Sequence, residues 1–79
     1  MIKNSYNTFV VGIKQTTKVI MQKRIKRCYI AKDADESLVI NVIKLCNSNN
    51  IPIIYLDTMK ELGNKFNISV GAATAADLK

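Results

Sequence analysis

Apolar positions along the chain fall in short runs whose period switches between two and about three and a half, with polar segments between them. Thr8-Phe9-Val10-Val11-Gly12 is a brief β-branched run and predicts a strand over 8–12. Gly12 ends it without a side chain, so another backbone or a ligand can come close there. Residues 14–23 predict a helix with Lys14, Gln15, Lys18 and Gln22 on one face and Ile13, Thr16, Thr17 and Ile20 on the other. The basic cluster Lys23-Arg24-Ile25-Lys26-Arg27 leads into a second strand, Cys28-Tyr29-Ile30-Ala31. Asp33-Ala34-Asp35-Glu36-Ser37 supplies caps and first-turn acids for a second helix. Its stripe is Leu38, Val39, Val42, Leu45 and Cys46, and Asn47-Ser48-Asn49-Asn50 closes it as a polar turn. Ile51 to Leu56 is a third strand, with Pro52 near its start, where a missing N–H is tolerated. Thr58-Met59-Lys60-Glu61 matches a capping box and opens a short helix presenting Met59, Leu62 and Phe66. Ile68 to Ala73 is a loop leading into a final short strand of small residues.

Strands alternate with helices throughout. That order predicts an α/β fold, a three-layer α/β/α sandwich around a mostly parallel, mixed sheet of about four strands. With 79 residues, one proline and three glycines, residues 1–79 read as a single domain with short connections. In such sheets the ligand surface lies at strand ends and their adjoining loops.

Twelve Lys/Arg against six Asp/Glu give a formal charge of +6. A basic excess of that size on so small a domain favours polyanionic partners, although a solvated lysine-rich surface explains it equally well. Cys28 and Cys46 lie far apart with no metal spacing, and read as two buried thiols of a reducing compartment. Met1-Ile2-Lys3-Asn4-Ser5-Tyr6 lacks the apolar core of a signal peptide, and no apolar stretch approaches the roughly 20 residues of a membrane span. A cytoplasmic protein without a membrane partner is expected.

Catalysis finds little support. Without histidine the usual proton shuttle is missing. Asp33 and Asp35 read as helix caps rather than a catalytic pair. Lys14 has nothing around it in sequence that predicts the desolvation a nucleophilic lysine needs. No metal ligand cluster, Rossmann fingerprint or P-loop is present, so no cofactor is expected. Anion binding is better supported: a strand, a glycine and a helix start carrying Lys14 and Lys18 direct free N–H groups and cations at one place. Lysine suits phosphates, and Gln15 between the two lysines offers a donor and an acceptor to base edges. The loop from Ile68 to Ala73 is apolar and small, which suits bases splayed out of a folded RNA. Entry of Val70 and Ala72 into the core is the plainer alternative.

Five segments in register carry a resemblance: Gly12-x-Lys14-Gln15-x-x-Lys18, Ala31-Lys32-Asp33-Ala34-Asp35, Ile51-Pro52, Glu61-Leu62-Gly63 and Val70-Gly71-Ala72-Ala73. In order, they resemble the kink-turn-binding ribosomal protein family, the archaeal L-seven-Ae type with its L-thirty-e relatives, and most of all its short bacterial members. The resemblance implies an α/β/α sandwich without enzymatic activity that grips a kink-turn, a sharply bent RNA helix with a short bulge beside sheared G·A pairs. Carried over, Gly12, Lys14, Gln15 and Lys18 sit in the groove at the G·A pairs. Ile68, Ser69, Val70 and Gly71 hold the extruded nucleotides, and Lys32 and Asp35 reach a flipped base. It implies an RNA-binding, monomeric, cytoplasmic ribonucleoprotein component, ribosomal or ribosome-associated, whose partner is a kink-turn in rRNA or in a structured regulatory RNA. Archaeal members have Asn-Glu in place of Lys14-Gln15. The family usually has glycine where this chain has Asn67, the best non-glycine residue for a left-handed helix end. A protein-interaction module of the same fold, needing no RNA contact, is the competing expectation.

Overall fold

The computed structural model describes residues 8–79, so the polar opening Met1–Tyr6 lies outside the described residues. The elements run β1 (Phe9–Val11), α1 (Ile13–Met21), β2 (Ile25–Ala31), α2 (Glu36–Ser48), β3 (Ile53–Leu56), α3 (Met59–Lys65) and β4 (Thr74–Leu78). Element for element this is the order that the hydrophobic pattern predicts. The sheet has four strands in the order β1-β4-β2-β3 and is mixed. β2 and β3 pair in parallel and β4 lies antiparallel to both β1 and β2, so three strands run one way around a single reversed one, in keeping with the mixed, mostly parallel sheet that the pattern predicts. The cause of the reversal is the short last crossover. α3 is 7 residues, about 10 Å at 1.5 Å per residue, and the segment after it returns to the end of the sheet where β3 stopped. β4 therefore enters the sheet from that end, in the slot between β1 and β2.

The alternation of β2 divides the core. Cys28 and Ile30 face α1 and α2, where they pack with Val19, Ile20, Val39, Val42, Cys46 and Ala76. Tyr29 and Ala31 face α3 and pack with Leu62, Phe66, Ala72 and Ala75. Burying a large side chain such as Ile30 or Leu62 contributes about 1.5–3 kcal/mol each. In α2 the buried stripe is Val39, Val42 and Cys46, while Leu38 is exposed, because the helical period carries it off the sheet-facing side. β2 also begins three residues before Cys28. Ile25 is buried and pairs with Leu78, and Arg27 bridges Asp77 at 3.2 Å, so part of the basic cluster is strand rather than lead-in. Tyr29 Oη donates to the same carboxylate at 2.8 Å, and its burial together with this bond pushes the phenol above its ordinary pKa. Both cysteines are buried free thiols, and Cys46 is pushed up by its hydrogen bond with Cys28 and by burial.

The helix ends follow local chemistry closely. Asp35 caps α2 by accepting from the Ser37 N–H at 3.1 Å, whereas Asp33 caps α3 across the fold by accepting from the Met59 N–H at 2.8 Å. The capping box is half local. Thr58 Oγ1 accepts from the Glu61 N–H, but Glu61 accepts from the Asp57 N–H rather than from that of Thr58. All three helices close with paired bonds around a left-handed residue: Lys23 (φ 58°), Asn50 (φ 56°) and Asn67 (φ 59°). After α3, the Ile68 N–H donates to the Gly63 carbonyl at 2.8 Å and the Asn67 N–H to that of Asn64 at 3.1 Å. Asn67 thus fills the place that glycine usually takes in the resembled family.

Two positions cost stability. Lys23 holds a left-handed conformation that costs a β-carbon-bearing residue about 1 kcal/mol. Thr16 is fully buried, and its hydroxyl has no hydrogen-bond partner among the described residues. Lys23→Gly is expected to raise the melting temperature by about 5 °C. Thr16→Val, which removes the orphan hydroxyl at similar shape, is expected to raise it by a comparable amount. Thermal unfolding followed by circular dichroism checks both, and a fall for either variant contradicts the local reading.

Candidate nucleic-acid interface

The glycine that ends β1 is the N-cap of α1, at φ 109° and ψ 155°, a conformation open in practice to glycine alone. A β-carbon there would meet nothing within 4 Å. Glycine is therefore required by the backbone angle, and its open side is not covered by the protein. No side chain caps α1 and no acid lies in its first turn, so the N–H groups of Ile13, Lys14 and Gln15 face outward without an intrahelical acceptor. Lys14, Gln15 and Lys18 are exposed, and among the described residues none of their side chains enters an ion pair or hydrogen bond. Gln15 and Lys18 line a groove along α1 with Val10, Val19, Gln22, Arg24 and Leu78.

The apolar loop is brought to this helix start by the sheet. The Gly12 N–H donates to the Thr74 carbonyl at 2.9 Å, and the Ala31 N–H to the Ala73 carbonyl at 2.9 Å. These bonds hold the end of the 68–73 segment between the exits of β1 and β2. Within it Val70 is 70% exposed, Ser69 is exposed and Ile68 is half-buried, while Ala72 enters the core. The plainer alternative thus holds for Ala72 and fails for Val70. Two glycines let the loop lie flat on α3. A β-carbon on Gly63 would meet the Val70 carbonyl oxygen at 3.0 Å, and one on Gly71 would meet the Met59 backbone at 3.0 Å. Gly63 is the packing residue that periodicity alone misses. Its signal is a glycine inside a short helix, which costs about 1 kcal/mol against alanine and calls for a close neighbour.

Lys32 and Asp35 flank the same end. The Lys32 ammonium lies 3.6 Å from Asp57, with both side chains largely exposed, so the pair is weak and easily exchanged. Asp35 Oδ1 accepts from the Ser37 N–H and hydroxyl, so this carboxylate caps α2 from an exposed position. Asp33, Asp35, Glu36, Asp57 and Glu61, five of the six carboxylates, cluster at this end of the sheet. The net basic charge read from composition is therefore not concentrated beside Gly12. Lys14 and Lys18 act within a mixed field, and selection by shape and hydrogen bonding gains importance over bulk attraction. Among the described residues no group of three or more His, Cys, Asp or Glu is placed to hold a metal. No helix among them is long and apolar enough to cross a membrane.

Comparison with known proteins agrees with this geometry. Residues 2–78 match the Ribosomal protein L7Ae/L30e/S12e/Gadd45 family, and the chain belongs to it. RNA-binding protein TTE2299 of Caldanaerobacter subterraneus subsp. tengcongensis is 51% identical over 69 residues, covering 87% of this chain and 84% of that protein. RNA-binding protein YbxF of Geobacillus stearothermophilus is 36% identical over 70 residues, covering 89% and 85%. The solved structure of a Giardia lamblia 15.5kD RNA binding protein superposes with a TM-score of 0.86 at 24% identity. It shares the fold over 95% of this chain, which spans 63% of that protein's length. The family is one of binding proteins, and this chain is not an enzyme.

Gly12→Ala is expected to destabilise the fold by about 2 kcal/mol through the backbone angle alone, lowering the melting temperature by about 10 °C. A thermal melt within 2 °C of the parent, on the order of a negligible strain energy, contradicts this account of Gly12.

Proposed function

We propose that this protein binds RNA and that its preferred target is a kink-turn, gripped between the start of α1 and the 68–71 loop. The observation that supports it most directly is the bonded juxtaposition of an uncapped, glycine-led helix start with an exposed apolar loop. On this reading the N-terminus of α1 enters the groove at the sheared G·A pairs. Lys14 and Lys18 meet phosphates, and Gln15 reads base edges through its amide. Val70, with Ile68, Ser69 and Gly71 setting its position, packs on an extruded base, and Lys32 exchanges Asp57 for the RNA. The loop and helix start are held by backbone bonds before any ligand arrives, so binding draws the RNA population toward its bent form. The relatives named as RNA-binding proteins support the partner class, and the ribosomal members of the family make ribosomal RNA the first natural target to test. The single domain acts as a cytoplasmic monomer.

A gel-shift comparison of a kink-turn RNA with the same RNA lacking its G·A pairs tests the reading. The intact kink-turn is expected to bind at least about tenfold more tightly. Gln15→Ala is expected to lower kink-turn affinity about tenfold and to leave plain duplex binding unchanged. Equal affinity for the two RNAs, or an equal loss on kink-turn and duplex in Gln15→Ala, reduces the helix start to an electrostatic patch and overturns the proposal.

A further inference from the structure

The carboxylates of this chain are gathered at one pole. Five carboxylates stand at the end of the sheet where α1 begins, and the sixth, Asp77, is engaged by Arg27 and Tyr29. At the opposite pole the close of α1 and the entry to β2 carry Lys23, Arg24 and Lys26, all exposed and, among the described residues, in no ion pair. The backbone there is well defined. Lys23 sits in the left-handed turn after α1, and the Arg24 N–H donates to the Val19 carbonyl at 3.0 Å. The Arg24 carbonyl accepts from the Lys79 N–H at 2.8 Å. The Arg24 guanidinium donates to Gln22 Oε1 at 3.3 Å, which aims it along the side of α1. That side is the groove holding Gln15, Lys18, Gln22 and Arg24, so an acid-free path joins the start of α1 to this pole. α1 has 9 residues, about 14 Å at 1.5 Å per residue, a span that a rigid RNA stem covers easily.

We propose that Lys23, Arg24 and Lys26 form a second RNA-contacting surface that takes the phosphate backbone of a stem leaving the bound bend and running along α1. This rests on the RNA reading of the helix start and extends its footprint to the far pole. Unpaired cations at the end of an acid-free groove match a phosphate backbone, and contacts of this kind add affinity and salt dependence without sequence preference. A neutral or basic protein surface has no complementarity with them.

The test compares the parent with the triple variant K23Q/R24Q/K26Q on two kink-turn RNAs, one with short stems and one with a stem extended by a helical turn. For the parent, extension is expected to tighten binding about tenfold and to steepen the slope of log affinity against log salt by about two to three. The triple variant is expected to bind both RNAs alike, with the parent's short-stem affinity. No gain on extension in the parent overturns the proposal, as happens if these cations serve an acidic protein instead. An equal loss by the variant on both RNAs overturns it too, since the cations then act only as a diffuse field. The extended RNA lacking its G·A pairs keeps the two readings separate. Failure to prefer the intact kink-turn over it counts against the proposed function, whereas the stem effect is scored between RNAs that share the same bend.

Discussion

The fold depends on one insertion: β4, a strand of small residues, runs antiparallel between β1 and β2. At its start the Thr74 carbonyl accepts from Gly12 and that of Ala73, just before it, from Ala31; at its far end the N–H groups of Leu78 and the following Lys79 donate to Thr8 and Arg24. Ala75 and Ala76 are fully buried on opposite faces, and their size lets helices approach the sheet from both sides. Thr74 is buried yet satisfied, its hydroxyl donating to the Tyr29 carbonyl at 2.8 Å, which leaves the Cys28 thiol as the donor to Thr74 Oγ1 at 3.7 Å. Without this strand β1 has no partner in the sheet, and the apolar loop has no fixed relation to α1.

From that insertion the rest is close packing on a small scale. A domain of this size buries a modest share of its surface, so each helix is tied down by local chemistry as well as by its apolar face. Asp33 and Asp35 illustrate the economy. Two acids two residues apart cap two different helices, and the longer reach of Asp33 couples the exit of β2 to the start of α3. Gly63 and Gly71 do the same for the loop, replacing side-chain volume by backbone contact with α3. The aromatic side chains complete the α3 layer, with Phe66 4.7 Å from Phe9 and 5.5 Å from Tyr29 between ring centroids.

The distribution of charge bears on function as much as its sum does. A formal charge of +6 suggests a uniformly attractive surface. Instead, carboxylates gather where helices need N-terminal caps, at the exits of β2 and β3, because acids stabilise helix starts. Since α1 opens beside those exits, its lysines work among acids. Lys23, Arg24 and Lys26 lie apart from these acids, where α1 ends and β2 begins.

Much of this was legible in sequence. The alternation of periods located every described element, with differences at element ends, such as the lead-in of β2 and the close of α2 at Ser48, and at Leu38. The family motifs marked the helix start at Gly12 and the loop at Val70. Local signals sufficed because caps, β-branched runs and apolar stripes act over a few residues. What the tertiary structure alone decided is long-range. The direction of β4, the reach of Asp33 to α3, the mating of Gly71 with Met59 and the gathering of carboxylates at one pole each join residues far apart in the chain. A periodicity reports which face of an element is buried, but not against what. The partner is chosen when a crossover too short to traverse the sheet returns the chain to the end it left, and that choice sets the loop beside the helix.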